Sequence, residues 1–190
     1  MNIAQYIKKH IDKNFNEGDL PFRTSKKSVT VGHTLCDFGE IENCIYFLID
    51  GIAQVNIMNS KGDVRIIDFF FPENFFCSYT SLIQSTPSDV QIVATTNCEL
   101  EVVENSELQL AYKNSLLANK LGRYETEKLY LKKVKREKDL LTKTREEIYL
   151  ELINNKSEII HQLPIDSIAK YLGIHPESLS RIRKKKTKSN

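Results

Sequence analysis

The sequence predicts an α+β protein in three parts: an N-terminal β-barrel of the jelly-roll (double-stranded β-helix) type, a long helix, and a C-terminal pair of short helices. Three observations predict this order. Residues 28–104 contain many short runs rich in β-branched and aromatic residues. Residues 106–141 almost lack Gly and Pro and show helical periodicity. Residues 165–183 have the pattern of two short helices joined at a glycine.

Composition sets the broad limits. The chain has 190 residues, of which 41% are hydrophobic and 27% charged, as in ordinary globular proteins. No segment approaches the roughly 18 apolar residues of a membrane helix, and the N-terminus lacks the apolar core of a secretory signal. The cysteines stand far apart, which predicts reduced thiols in a cytoplasmic protein; a metal or iron–sulfur site would need clustered spacing. They are Cys36, Cys44, Cys77 and Cys98.

The first elements follow from local patterns. Ile3, Ile7 and Ile11 recur at helical spacing and predict a short amphipathic helix. Residues 59–63 have the composition of a hairpin turn, and Pro72 ends a strand. Strands are predicted at 45–49, 53–57, 64–69, 90–94 and 100–103.

The segment from Ser106 to Leu141 predicts one long helix with an apolar seam on one side. Such a seam favours pairing with a second copy, so we expect a homodimer; the alternative is that the seam packs only on the chain's own barrel. The expected domains are the barrel (1–111), the dimerisation helix (112–141) and a C-terminal domain (142–190), which begins with a helix capped by a Thr. The predicted seam residues are Leu117, Leu121, Tyr124, Lys128 and Leu131, followed by Val134.

The C-terminal helices resemble a helix-turn-helix, whose second helix enters the major groove of DNA. Gly173 lies at the turn, where positive φ is needed, and Pro176 suits the first turn of the second helix. A generic helical hairpin is the alternative. The apolar positions that would close the core of the pair are Ile168, Leu172, Ile174, Leu179 and Ile182.

Charge is distributed unevenly along the chain. Residues 156–190 carry eight basic and three acidic residues, a net charge of +5, whereas the remainder carries 19 basic and 22 acidic residues, a net charge of −3. By itself a lysine-rich tail is more often a solvated terminus, but after a helix-turn-helix it favours double-stranded DNA as a partner. The expected DNA contacts are Glu177, Ser178, Arg181, Ser180, Arg183, Lys184, Lys185, Lys170 and Ser167.

Each expected DNA contact has a chemical role. Arg181 can donate two hydrogen bonds to guanine, and Glu177 can accept one from cytosine. The lysines would contact phosphates, which gives salt-dependent affinity without sequence information. Two alternatives stay open: Arg181 could form a surface salt bridge, and Glu177 could complement the positive N-terminus of its helix.

Along nearly its whole length the chain resembles the Crp/Fnr family of bacterial transcription regulators. Glu177 and Arg181 fall on the recognition-helix positions that typically read bases in that family. The resemblance implies a homodimer, an effector-sensing barrel of the cyclic-nucleotide type, control of transcription, and RNA polymerase as a further partner. The barrel residues that carry it are Gly32, Leu35, Gly39, Glu40, Ile45–Leu48, Gly51, Gly62 and Phe71–Phe76.

The chain departs from the family at the effector pocket. Cyclic-nucleotide binders use a Glu for the ribose hydroxyl and an Arg, some ten residues on, for the phosphate. Here Ser78 and Ser88 stand at those positions, and Asp89 adds a negative charge. Burying a phosphate without its cation is unfavourable by several kcal/mol, so we expect that cyclic AMP is not the effector. The expected pocket residues are Phe76, Cys77, Ser78, Tyr79, Thr80, Ser88 and Asp89.

What occupies this pocket stays open at the level of sequence. It could be empty, be filled by Tyr79 and Phe76, or accept another ligand. Backbone N–H groups at the start of a helix over 78–83 would attract an anion only weakly. No cofactor is predicted, and the effector is unknown.

The chain also departs from the family at its end. Family members usually follow the recognition helix with a β-hairpin wing, whereas here we expect the wing to be reduced or absent. The histidines lack metal-ligand spacing and there is no nucleophile elbow or phosphate loop, so no enzyme is predicted. His175 is expected to cap the recognition helix or to contact a DNA phosphate. The expected function is a sequence-specific DNA-binding regulator; the alternative is a ligand-binding sensor that acts through protein contacts without binding DNA.

Overall fold

The computed structural model describes residues 1–155, 160 and 162–187. The described strands form two antiparallel sheets of four, in the orders β1-β8-β3-β6 and β2-β7-β4-β5. This interleaved order is that of a jelly roll, and all five predicted strands are present. The strands are β1 Ser25–Val29, β2 Thr34–Cys36, β3 Cys44–Asp50, β4 Ala53–Met58, β5 Val64–Phe70, β6 Phe75–Phe76, β7 Val90–Ala94 and β8 Cys98–Glu104.

Helices precede, interrupt and follow the barrel. The predicted N-terminal helix is confirmed, with Ile3 and Ile7 fully buried. No helix among the described residues is both long and apolar enough to cross a membrane. The helices are α1 Ile3–His10, α2 Tyr79–Gln84, α3 Asn105–Asn114, α4 Leu116–Thr142, α5 Arg145–Asn155, α6 Ile165–Leu172 and α7 Pro176–Thr187.

The prediction of one helix over residues 106–141 was wrong, because Ser115 divides this segment into α3 and α4. Ser115 has an extended backbone, with φ −133° and ψ 119°, and its hydroxyl accepts the N–H of Ala118 at 3.2 Å. Serine is a favourable N-cap, so the helix starts again here in a new direction. The cap of α5 is Thr144, whose hydroxyl accepts the N–H of Glu147 at 3.2 Å.

Among the described residues, three hydrophobic cores hold the structure together. The first lies between the two sheets and contains Tyr46 and Leu48. Phe47, which lies between them on β3, points to the opposite face and joins the second core with α1, α3 and α4. The third core joins the barrel to α5, α6 and α7, with Leu172 and Leu179 almost fully buried. The C-terminal helices are thus packed on the barrel.

A β-bulge in β5 lets one strand serve two cores. Val55 pairs with Asp68 and the next residue of β4 pairs with Ile66, so Ile67 is the extra residue. As a result Phe69 joins the third core, where its ring centroid lies 5.3 Å from that of Tyr171 on α6. Asp68, whose side chain is almost buried, faces the opposite side.

Candidate functional site

A cavity of about 640 Å³ lies between the barrel and α4. Six of the seven predicted pocket residues line it, and the seventh, Ser88, is buried just behind the wall. The six are Phe76, Cys77, Ser78, Tyr79, Thr80 and Asp89.

Ser78 and Ser88, which stand at the positions of the Glu and the Arg of cyclic-nucleotide binders, form a hydrogen bond with each other. The Oγ atoms of Ser78 and Ser88 lie 2.7 Å apart, and both residues are buried. Ser88 Oγ also donates to the carbonyl oxygen of Val90 at 2.7 Å, so the Ser78 hydroxyl donates to Ser88. Neither position offers a cation or an ionised acceptor. The residues present therefore do not fit a cyclic phosphate and its ribose.

The start of α2 already faces a carboxylate of the chain itself. Glu42 is buried, and its carboxylate accepts the N–H of Ser78 at 3.2 Å as well as the N–H groups of Asn43 and Cys44. Burial raises the pKa of Glu42, and these N–H groups oppose the rise. Burial, with Glu42 nearby, raises the pKa of the Cys36 thiol to about 11. Cys36 is therefore a protonated thiol at neutral pH, which disfavours a reactive or metal-binding role.

The cavity is not filled by the two aromatic side chains that could have filled it. Phe76 is buried in the barrel core, where its ring stacks 4.8 Å from that of Phe70. Tyr79 is partly exposed, and its hydroxyl lies 3.2 Å from Thr126 Oγ1 on α4. The space between β4, β5 and α4 therefore remains open.

Sequence reasoning missed two charged pairs that line the cavity. Lys132 Nζ lies 2.7 Å from Asp68 Oδ2, and Lys128 Nζ lies 3.2 Å from Glu125 Oε1. The hydroxyl of Tyr6 donates to Glu125 at 2.6 Å and accepts from Lys128. One signal was available, because an aspartate within the apolar run of β5 indicates a buried polar group that needs a partner.

The structure places the predicted dimer seam mainly on the chain's own barrel. Leu121 is buried, Leu117 and Tyr124 pack on the same core, and Lys128 contacts Tyr6 of α1. Only Leu131 is largely exposed, at 66%. This is the alternative that the sequence left open. A helix turn of about 100° per residue places these residues on one face, and the start of α4 after Ser115 turns that face toward the barrel.

The opposite face of α4 carries exposed apolar side chains. Leu116, Tyr130 and Leu141 are 73%, 68% and 81% exposed. Their separations of 14 and 11 residues place them in one stripe along the helix, together with the half-buried Val134. Arg123 and Glu127 interrupt this face between Leu116 and Tyr130, so the apolar part of the stripe runs from Tyr130 to Leu141.

The helices α6 and α7 have the layout that the sequence predicts. Gly173 has φ +68° and ends α6, and Pro176 is the first residue of α7. Ile168 and Leu179 are buried in the core that the two helices share. The Nδ1 atom of His175 accepts the N–H of Glu177 at 3.4 Å, so the predicted cap is confirmed.

The predicted base-reading residues lie on the outer face of α7. Glu177 and Arg181 are both exposed and are one helical turn apart. Ser178, Ser180 and Arg183 are half-buried, and Lys184 is exposed. On α6, Ser167 is half-buried, and Lys170 is exposed with its Nζ 2.7 Å from Asp166 Oδ2. The side chains of Lys185 and Lys186, and the whole of Lys188, lie outside the described residues.

Comparisons with known proteins agree with this geometry. Residues 26–115 match the family model described as Cyclic nucleotide-binding domain. No curated protein matches the sequence. FixK2 from Bradyrhizobium japonicum superimposes with a TM-score of 0.73 at 16% identity, over 88% of this chain and 86% of its own. CLP, the c-di-GMP responsive global regulator of Xanthomonas campestris, gives 0.68 at 15% identity, over 87% of each chain.

A third structure spans almost the whole chain. The cyclic nucleotide-binding domain containing protein from Listeria monocytogenes gives a TM-score of 0.67 at 16% identity, over 98% of this chain and 89% of its own. FixK2 and CLP are Crp/Fnr-type regulators. At these identities the likeness shows a shared fold. The match over residues 26–115 and the superpositions therefore show that this chain shares its fold with FixK2 and CLP.

Proposed function

We propose that this protein is a cytoplasmic, homodimeric transcription regulator of the Crp/Fnr type that reads a palindromic DNA site, has no enzymatic activity and does not respond to cyclic AMP. The exposure of Glu177 and Arg181 on one face of α7, within this fold, is the observation that carries the proposal. RNA polymerase is the further partner that such a regulator would contact.

DNA recognition would divide between the two helices. Arg181 donates two hydrogen bonds to a guanine edge, and Glu177 accepts one from cytosine. Lys184 and Lys170, both exposed, supply phosphate contacts that release counterions. Within the described residues no ion pair engages Arg181, which disfavours the alternative of a surface salt bridge for this side chain.

The outward stripe of α4 supports dimerisation. Tyr130, Val134 and Leu141 follow one another at helical spacing on the face away from the barrel. Pairing the two copies through these side chains would remove them from water and relate the two α7 helices by a two-fold axis. That symmetry is the one a palindromic site requires.

Contacts of α4 connect the cavity to the DNA-reading end. Lys132 binds Asp68 at the cavity, and one helical turn further Arg136 donates to the carbonyl oxygen of Tyr171 at 2.9 Å. The guanidinium of Arg136 also stacks 4.0 Å from the ring of Tyr171, which belongs to α6. An effector that moved α4 relative to the barrel would therefore shift α6 and α7, a two-state coupling of the usual allosteric kind.

A binding assay on paired variants tests the DNA-reading role. Arg181→Ala should reduce the preference for a selected duplex over a scrambled one by at least about tenfold, because a bidentate guanine contact is lost. Arg23→Ala, which removes the same charge from an exposed residue before β1, should leave that preference unchanged. If the folded wild-type chain binds no duplex at low salt, the alternative function applies, namely a sensor that acts through protein contacts.

A further inference from the structure

We propose that the cavity between the barrel and α4 binds an uncharged, predominantly apolar small molecule. This inference rests on the sensory role given to the barrel under the proposed function. Such a ligand differs in charge from the nucleotides and other anions that a phosphate-binding barrel would bind.

Apolar side chains line the cavity from both sides. Strands β4 and β5 contribute Val55, Ile57, Ile67 and Phe70, and α4 contributes Leu121 and Leu129 from the facing side. The volume of about 640 Å³ lies in the range of about 300–1,000 Å³ that small-molecule sites occupy. Burial of apolar ligand surface is therefore the interaction that this site can offer most.

The charges inside the cavity are already compensated. Asp68 accepts from Lys132 at 2.7 Å and from the N–H of Phe69 at 2.9 Å. Glu125 accepts from Lys128 at 3.2 Å and from the hydroxyl of Tyr6 at 2.6 Å. A charged ligand would have to break one of these pairs or pair with the exposed Lys133 or Asp89.

The remaining charged residues of the lining leave the net charge at zero. Lys133 and Asp89 have opposite signs, and both are exposed to solvent, where their charges are hydrated. The hydroxyls of Ser78 and Ser88 are used by each other and by a backbone carbonyl. An ionised group in the cavity would lose its hydration and could pair only with these two hydrated side chains, whereas a neutral apolar group needs no charged partner.

A matched pair of fluorescent probes separates these possibilities on the full-length chain without DNA. N-phenyl-1-naphthylamine is uncharged, and 8-anilino-1-naphthalenesulfonate carries the same rings with an added sulfonate. We expect one molecule of the neutral probe to bind per chain, at least about tenfold more tightly than the sulfonate, and cyclic AMP to displace neither. Equal affinities, or no binding of the neutral probe by folded protein, would overturn the proposal.

Two variants locate the binding. Ile67→Trp puts an indole into the cavity from the half-buried bulge of β5 and should weaken the neutral probe at least about tenfold, whereas Val31→Trp, on an exposed turn, should not. Asp68→Asn leaves Lys132 uncompensated and should strengthen the sulfonate probe by about tenfold relative to the neutral one. If Asp68→Asn leaves that ratio unchanged, charge compensation does not set the ligand class.

The outcomes distinguish this inference from the proposed function. Probe binding with no DNA binding would support the ligand class and remove the DNA-reading role. DNA binding with no probe binding would keep the regulator and overturn the ligand class.

Discussion

At the scale of single residues, Ser78 and Ser88 set the chemistry of the barrel. Their hydroxyls lie 2.7 Å apart in a buried position where a phosphate-binding barrel would present opposite charges. Each hydroxyl is satisfied within the protein, so leaving the site without an anion costs the chain no unpaired polar group. These two hydroxyls therefore need no nucleotide as a partner, and apolar side chains line the free volume of the cavity.

Gly173 is the single residue on which the geometry of α6 and α7 depends most directly. Its φ of +68° disfavours any side chain, although the nearest atom to an added Cβ is Arg65 Nη1 at an ordinary 3.5 Å. Backbone strain alone should therefore make Gly173→Ala destabilising by about 1 kcal/mol, a fall of about 2–4 °C in the midpoint of thermal unfolding. Gly18 has no positive φ, and an added Cβ there would have no neighbour within 4 Å, so Gly18→Ala should lower the midpoint of thermal unfolding by much less. Equal losses in the two variants would contradict this role for Gly173.

Residue-level prediction from sequence succeeded where a residue's role is local. Gly173, Pro176 and the cap by His175 could be predicted because each depends on neighbours within a few positions. The ion pair of Asp68 with Lys132 could not, because 64 residues separate the partners along the chain. The pair forms because α4 packs on β5, which the sequence alone does not show.

At the scale of elements, α4 has two faces with different tasks. One face packs Leu121 and Ala118 into the second core, and the opposite face exposes Tyr130 and Leu141. The sequence shows only sparse apolar residues among many charges, so both stripes have similar periodic patterns. Which stripe meets the barrel depends on where the helix starts, and the start at Ser115 has neither Gly nor Pro to indicate it.

Strands were predicted where alternation is strong and missed where it is weak. The run of β3, in which Tyr46 and Leu48 face the core, is rich in β-branched and aromatic residues. In contrast, β1 consists of Ser25–Val29 and buries only Val29. Its pairing with β8 supplies most of its order, and that partner lies some 70 residues away.

A cluster of charges joins α4 to α5 and gives that junction a pH dependence. Asp139 accepts from Lys135 and Lys143, and Glu151 accepts from the same two lysines. These lysines lower the pKa of Asp139 below its ordinary 3.8 and that of Glu151 below its ordinary 4.5. The stabilisation is therefore complete above about pH 5 and is lost as the pH falls through the lowered pKa values.

The acid side of the stability profile tests this cluster. The midpoint of thermal unfolding should fall less between pH 6 and pH 3 in Lys143→Gln than in wild type, because the variant has less of this stabilisation to lose. Lys120→Gln, an exposed lysine elsewhere on α4, should behave like wild type. Because all four side chains remain at least partly accessible to solvent, 1 M salt should narrow the difference between Lys143→Gln and wild type. An equal fall in all three proteins at low salt would show that the cluster does not stabilise the junction.

At the scale of the whole molecule, the order of parts was predictable and their packing was not. Periodicity and turn residues indicate a barrel, a helical region and a helix pair in sequence order. The third core, in which Phe69 of the barrel meets Leu172 of α6, brings together residues about 100 positions apart. The apolar lining of the cavity could not be predicted for a similar reason, because its strand residues and its α4 residues are about 60 positions apart.

Selection of bound duplexes from a random pool tests the central claim most directly. The full-length protein should enrich two inverted half-sites whose centres lie about one helical turn, or 10–10.5 base pairs, apart. Tyr130→Glu should lose the paired sites because it charges the outward stripe of α4, whereas Val31→Glu, an equally exposed apolar position on the barrel, should keep them. Failure of the folded wild-type protein to enrich any sequence, or enrichment of a single unpaired site, would contradict the claim that two copies of α7 read DNA together.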